Sequence, residues 1–477
     1  MLKLAIKDSL IYGVAGVATR SIGLLLLPLY SRVLSPSDYG LFDLILATAA
    51  IAAIIVPLEV SLGLAREYPD AASQAEKRRY ATTAWLFTIA MYGLFTVVAV
   101  ALHFSAVTPR FTPIPLPVLG FGLAYVVLMG LLYFLQNQLR WELRGLNYSI
   151  VTLLNAVGGG ALAALLGWHY GLHGVLIGLV LGALCAIALA RAFLGESLRG
   201  NWDTGKLRLM LGYSLPLVPA SLSALVTLYV DRALLSYYSG LHDLGLFAVG
   251  YRVASISLLG LVGIQGALIP LIYSHHAAAR TPADIARLFR WFAGLSILLC
   301  GFLGLFASEI LRVLVAPSFQ DASKIVMILA PACVMMQLYF FFPGMFLAKK
   351  TWLQLGVQAT AALVNISICL WLIPMFGFVG AALGNFFAAV IFCVIWASAS
   401  QNHYPIPFEW RIIFGGVALY AVAIAVGHWV SADLWFAVAI KLGLFVSLGA
   451  GLFFLGFARM NELSILIHRL GGKFKRV

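Results

Sequence analysis

Charge is what this 477-residue sequence has least of: Asp, Glu, Lys and Arg make 10% of it, against 62% hydrophobic residues. Its mean hydropathy is +0.99. A soluble globule carries roughly 25% charged and ~45–50% apolar residues, so a soluble domain is excluded. Cysteine is scarce as well. The five cysteines (Cys185, Cys300, Cys333, Cys369, Cys393) all fall inside apolar stretches and lack the paired spacing of a metal site. They read as small core residues, and no disulfide is expected. No G-x-x-x-x-G-K-[ST] loop is present to cradle nucleotide phosphates, and no H-E-x-x-H pair to hold zinc. The ~10-residue alternating segments of a membrane β-barrel are missing too.

What remains is apolar runs of about the ~20 residues that a helix needs to cross the hydrocarbon. Fourteen are predicted: about 9–31, 40–62, 80–103, 114–136, 148–168, 172–193, 208–231, 245–273, 288–312, 323–347, 352–373, 377–400, 410–430 and 434–458. The fold class expected is therefore all-α, a polytopic membrane protein of 14 transmembrane helices. The first run is over-length for the apolar core of a signal peptide and no small-residue cleavage site follows it, so it is expected to stay as the first span. All eleven tryptophans lie near span ends, as in an interfacial aromatic belt.

The formal charge of +13 would suggest nucleic acid in a soluble protein, but placement decides otherwise. With the amino terminus in the cytoplasm, only Arg32, Arg110, Arg232 and Arg312 sit at outer span ends, and only Arg20, Arg252, Lys324 and Lys441 lie within spans. The other Lys and Arg fall in inner loops, tails or helix ends, the asymmetry of the positive-inside rule. Both termini are expected to be cytoplasmic, with no nucleic-acid partner. The basic tail 461–477 is expected along the inner leaflet.

The chain repeats itself. LYSRVLSPSDYGLF from Leu29 to Phe42 returns as LYVDRALLSYYSGLHDLGLF from Leu228 to Phe247, so that Tyr30 answers Tyr229, Arg32 answers Arg232 and Gly40 answers Gly245. A second match sets YGLHGVLIG at Tyr170–Gly178 against FGFVGAALG at Phe376–Gly384, and its G-x-x-G-x-x-x-G glycines point to close helix packing. A unit of about 200 residues is present twice. Two pseudo-symmetric six-helix lobes are expected, 1–200 and 201–402, followed by two extra helices in 403–460 packed on the second lobe's periphery.

A charge at the bilayer centre costs ~2.5–3.5 kcal/mol on insertion scales. Arg20, midway across the first span, and Arg252, about 10 Å into the eighth by the helical rise, are therefore the leading candidates for a binding site. Asp43, near the outer end of span two, and Glu59, near its inner end, are candidate cavity or ion-coupling groups; with Asp231 they are also the carboxylates that could simply pair with Arg20. Asp231–Arg232 and Glu309/Arg312 read as interfacial pairs, and Lys441 reads as a snorkelling side chain.

SRVLSPSDYGLFDLILA, SLPLVPASLSALVTLYVDRALLSYY and DLGLFAVGYRVA resemble the bacterial polysaccharide flippases, the O-antigen and exopolysaccharide carriers of the multidrug/oligosaccharidyl-lipid/polysaccharide exporter superfamily. The resemblance runs from about residue 5 to 400. It implies a non-enzymatic carrier in the inner membrane that moves undecaprenyl-pyrophosphate-linked oligosaccharide outward by alternating access. It also implies partnership with membrane lipids and with polysaccharide polymerase and co-polymerase proteins. In related lipid II flippases, cations on helices one and eight face the cavity, the helices that carry Arg20 and Arg252 here. Guanidinium forks suit a pyrophosphate. Those relatives also hold a sodium ion among polar groups of helices seven, eleven and twelve, where Asp231, Asn365 and Asn385 lie; Cys369 stands one turn beyond Asn365 where a further carboxylate would be wanted. No cofactor is expected, and coupling to Na+, H+ or membrane potential stays open. Two rivals are weighed. A cation antiporter would want buried carboxylates in its cavity, and a glycan polymerase or ligase would want a larger outer loop than any present.

Overall fold

The computed structural model of the chain describes residues 21–105, 115–258, 272, 278, 280–429 and 434–457. Every regular element among them is helical. In chain order these are α1 (Leu27–Val33), α2 (Pro36–Ile55), α3 (Val60–Glu67), α4 (Gln74–Phe104), α5 (Leu116–Trp141) and α6 (Gly145–Leu153), the last passing through a π-helical turn, Leu154–Gly159, into α7 (Gly160–Leu194). There follow α8 (Thr204–Ser214), α9 (Val218–Tyr238), α10 (Leu241–Ala254), α11 (Thr281–Leu305), α12 (Ala307–Leu314), α13 (Ser323–Gln337), α14 (Gly344–Leu347), α15 (Thr351–Gln401), α16 (Trp410–His428) and α17 (Leu434–Phe454).

Among the described residues, nine helical stretches are long and apolar enough to cross a membrane, or ten if one bent pair is a single span. Two of them, Gly145–Leu198 and Trp352–Gln401, run to 54 and 50 residues. At ~1.5 Å per residue that is more than twice the ~30 Å of hydrocarbon, so each must fold back. The reversals sit at Gly171 (φ 58°, ψ −139°) and Gly377 (φ 55°, ψ −131°), a backbone conformation open only to glycine. Beyond the first bend, a Cβ on Gly174 would collide with the Leu166 carbonyl and one on Gly178 with the Ala163 backbone. Beyond the second, Gly380 meets Leu372 and Gly384 meets the Cys369 thiol in the same way. Both repeats of the glycine motif thus build one antiparallel hairpin, and the packing expectation for it holds.

Helix starts follow their caps. Ser35 accepts the Asp38 N–H at 3.2 Å ahead of Pro36 at the first helical position. α2 therefore begins four residues before the expected Gly40, and the polar turn shrinks. Ser73 caps α4 by accepting the Glu76 N–H at 3.1 Å, and the Glu76 carboxylate reaches back to accept the Ala72 N–H, one residue before the cap, at 2.9 Å. Span two is not one helix, either: it breaks at 56–59, where Pro57 removes a donor and Leu58 (φ 51°) and Glu59 (φ 54°) both turn left-handed before α3 starts. Two such non-glycine residues cost ~1–2 kcal/mol each.

Contacts divide the chain into two compact units. The first gathers Met1–Val249, Leu314–Phe319 and Gln358–Gly384; the second gathers Gly250–Val313, Gln320–Val357 and Asn385–Val477. These units follow packing rather than the repeat, since α9 of the second copy lies on α2 of the first. The first unit's core joins Val60, Leu64, Leu132, Leu135, Ala186 and Met210. In the second unit Phe289 touches Phe341, Phe342 and Phe408 edge-on at 4.8–5.6 Å. α16 and α17 pack on α11 in that unit and keep most of their surface exposed. Lys441 is paired inside the unit. Its ammonium meets Glu309 at 2.6 Å, which also takes Glu309 away from Arg312.

Candidate functional site

The first unit brings the two copies of the repeated hairpin face to face. A Cβ on Gly40 would strike the Leu241 carbonyl and stand 2.9 Å from the Gly245 nitrogen, while one on Gly245 would strike the Pro36 carbonyl. Pro36 and Gly40 stand in the first copy where Leu241 and Gly245 stand in the second, so α2 and the start of α10 cross about a local two-fold relation. Glycine at both positions lets the backbones touch. The rings of Tyr39, Phe42 and Phe319 close around the crossing at 5.6–5.8 Å.

Beside it lies a buried charge cluster. Arg232 of α9 donates from Nε to Asp43 Oδ2 at 2.9 Å and from Nη1 to Asp231 Oδ1 at 3.1 Å and to the Leu228 carbonyl at 2.9 Å. Asp231 also accepts the Arg232 backbone N–H at 2.8 Å. The Arg232 and Asp43 side chains are 7% and 10% exposed, and Asp231 1%. The Tyr229 and Phe247 rings flank the guanidinium at 5.2 and 5.6 Å. Buried charges persist only when paired and hydrogen-bonded, and here a cation of the second copy satisfies a carboxylate of the first. The expected Asp231–Arg232 pair forms, but it is buried and shared with Asp43 of the first copy. The earlier start of α2 sets Asp43 two turns into the helix, facing α9 instead of water. Arg32, the counterpart of Arg232, stays exposed.

Of the other candidates, Asn365 lies near the cluster, since the Cys369 thiol that it accepts is within reach of the Asp231 charge, and the rest are spread out. Arg20 lies outside the described residues. Glu59, buried at the broken end of α2, accepts the Ser221 hydroxyl of α9 at 2.6 Å. Asn365 is fully buried and accepts the Cys369 thiol at 3.0 Å. Asn385 and Arg252 belong to the second unit and are half-buried; Arg252 sits in the last turn of α10, where its carbonyl accepts the Ser255 hydroxyl at 2.7 Å. For a sodium ion, Asp231 and Asn365 would have to turn outward oxygens that they now give to Arg232 and Cys369.

At the other end of the unit, Gly63 of α3 lies against the Met210 backbone of α8, and Lys206 of α8 meets Glu76 of α4 at 2.6 Å. The Lys206 hydrogen bond, then that of the Ala72 N–H, holds the Glu76 carboxyl below its usual range. Burial, then the nearby Glu142 charge, pushes the Tyr68 hydroxyl up to about 12.

A polar series on α5 and α6 was not among the sequence candidates. Gln136 Nε2 donates to Thr152 Oγ1 at 3.1 Å, and Asn155, inside the π-helical turn, reaches Met129 Sδ at 3.8 Å. Neutral amides add nothing to a charge count, although the QNQ run at 136–138 was the signal available.

The family described as "Polysaccharide biosynthesis protein" matches residues 5–276. Comparison with curated proteins gives no match. Among solved structures, the lipid II flippase MurJ in an inward closed conformation superposes with a TM-score of 0.71 at 12% identity, over 97% of this chain and 99% of that one. An inward-facing multidrug resistance MATE family transporter of the MOP superfamily gives 0.61 at 15% identity, over 80% and 96%. A MOP superfamily transporter from Pyrococcus furiosus, described by the reverse polarity of its binding pocket, gives 0.56 at 14% identity, over 83% and 96%. At these identities the likeness speaks for the fold. The family match spans more than half of the sequence, includes both copies of the repeated outer hairpin, and agrees with the resemblance carried by its motifs: the chain belongs to the polysaccharide biosynthesis protein family and has the multi-pass membrane fold of the MOP superfamily.

Proposed function

We propose that the protein is a flippase that carries undecaprenyl-pyrophosphate-linked oligosaccharide from the inner to the outer leaflet of the bacterial inner membrane, for surface polysaccharide assembly. The observation that carries the reading is the contact between repeat copies: a glycine-on-glycine crossing beside the buried bridge Arg232–Asp43. Because the backbones meet at glycine, parting the contact separates one buried charge cluster and the few rings around the crossing, not a continuous side-chain core. Sequence topology assigns these helix ends to the outside, so the contact acts as the closed outer gate of an inward-loading state. Opening it hydrates Arg232, Asp43 and Asp231 together, which lowers the cost of separating them.

In this reading Arg20 and Arg252 hold the pyrophosphate and two lobes rock about it. Both termini are cytoplasmic, and polymerase and co-polymerase proteins receive the product outside. The coupling ion or potential that drives the cycle is left open. The cation-antiporter reading gains nothing from Asp43 and Asp231, whose charges already serve Arg232. The test is a flipping assay with the purified full chain in liposomes, using lipid-linked oligosaccharide extracted from the producing strain. Movement of that lipid that stops with Arg20→Ala and is weakened less by Arg252→Ala, both at unchanged protein level, supports the reading. Efflux of cationic dyes without movement of the lipid would overturn it.

A further inference from the structure

From the polar series on α5 and α6 we infer a glycan-contacting track in the first repeat, a site for the neutral sugar hydroxyls of the cargo. The inference rests on the flippase reading and adds where the glycan is held. Three rungs cross between the helices. Arg140 hydrogen-bonds the Tyr148 hydroxyl and stacks 4.3 Å over its ring. Gln136 bonds Thr152, whose hydroxyl donates to the Tyr148 carbonyl at 2.8 Å, and Asn155 reaches Met129. Tyr148, Thr152 and Asn155 follow at four- and three-residue steps, which keeps them on one side of the helix. From Tyr148 to Asn155 the rise is about 10 Å, so the track climbs from the inner edge of the predicted spans into them.

Two observations make this more than packing. Gln136, Thr152 and Asn155 are half-buried, and among the described residues Gln136 and Asn155 each make one side-chain hydrogen bond. An amide has four such positions. Turned to hydrocarbon, the remainder would be costly; turned to a wet lumen, they are offered to a ligand. Asn155 also lies within the π-helical turn Leu154–Gly159, a deviation that recurs at functional sites. The second observation is the other repeat. At the offset of 206 that aligns Gly171 with Gly377, LYF at 132–134 answers LYF at 338–340. On the same offset Gln136, Arg140 and Asn155 are answered by Phe342, Phe346 and Ala361, while Thr152 is answered by Gln358. Phe342 is buried among Phe289, Phe408 and Trp410. The second copy therefore builds its helices with apolar residues at three of these four positions, so the amides of the first are not required by the architecture. Amides, a hydroxyl and an aromatic rim are the groups that bind sugars: they exchange hydrogen bonds with hydroxyls and cover C–H faces. The amides and hydroxyls are neutral, and the one cation of the series, Arg140, is engaged with the Tyr148 hydroxyl and ring.

The test compares two probes on the full chain in nanodiscs: undecaprenyl-pyrophosphate-linked oligosaccharide and undecaprenyl pyrophosphate without sugar. The double variant Gln136→Met/Asn155→Leu, which gives these two positions the apolar character of the second copy, should bind the glycosylated lipid at least about tenfold more weakly, at roughly fivefold per lost hydrogen bond. Binding of the sugar-free lipid should stay unchanged, which also shows that the variant is folded. Equal weakening of both probes, or no weakening of either, would overturn the glycan track. If the unmodified protein binds neither lipid, the flippase reading itself fails, and the track with it.

Discussion

The glycine hairpins at Gly171 and Gly377 and the outer hairpins at Gly40 and Gly245 are both duplicated, yet they have aged differently. The first pair is the same object twice, down to the partners met by each glycine: Gly174 on Leu166 and Gly380 on Leu372, Gly178 on Ala163 and Gly384 on Cys369. The second pair keeps its crossing but not its charges, since Arg232 is buried between two carboxylates and Arg32 is exposed. Inside one rigid element any change has to be tolerated by both helices at once, so both copies stay near the same solution. At a contact between copies one latch suffices, and the second arginine is free of that duty.

Removing the latch should give the largest effect. Arg232→Ala leaves Asp43 and Asp231 without their guanidinium and should destabilise the protein by ~3–5 kcal/mol, as for other broken buried pairs; Arg32→Ala should stay within ~0.5 kcal/mol. Thermal melts of both variants in detergent separate the two copies, and equal shifts would erase the distinction. Next come the glycines. Gly380→Leu drives a side chain into its own hairpin and should cost ~1–3 kcal/mol or more, read as lost protein in the membrane. Gly245→Leu meets the Pro36 backbone only when the hairpins are closed, so protein level should hold while lipid flipping is lost.

The smallest effect concerns the Glu76–Lys206 bridge. The Glu76 carboxyl is lowered chiefly by the Lys206 hydrogen bond, so its contribution is present above the unfolded carboxylate range of ~4.3 and fades as pH falls through the folded value. Lys206 loses to burial but gains more from Glu76 and its neighbours, and is raised. Its share is therefore present below the unfolded lysine range and is lost as pH rises through the folded value. Lys206→Met should flatten the acid limb of melting temperature against pH by a small amount, leaving the neutral plateau in place.

Much of this was legible in the sequence. Among the described residues most apolar runs of span length became helices, and the G-x-x-G-x-x-x-G motif became a hairpin in both copies, because local propensity and the bilayer leave a segment few choices. The S-P-S-D cap at 35–38 and Pro57 could have moved the ends of span two, and a reading by apolar length alone passed over both. Asp43–Arg232 was out of reach: 189 residues separate them, and their register depends on where Gly40 meets Gly245. Gln136 and Asn155 were missed for a different reason, since neutral amides scarcely interrupt a hydropathy average.

The central claim, that the hairpin contact is a gate which opens during the cycle, is tested most directly by a distance. Spin labels at Ser37→Cys and His242→Cys, both exposed beside the crossing, with Cys185 replaced by serine because it too is exposed, report its separation by pulsed electron resonance. A short and a long population are predicted, the long one enlarged by lipid-linked oligosaccharide and dominant in Arg232→Ala. A single short distance, unmoved by the lipid and by loss of Arg232, would contradict the account.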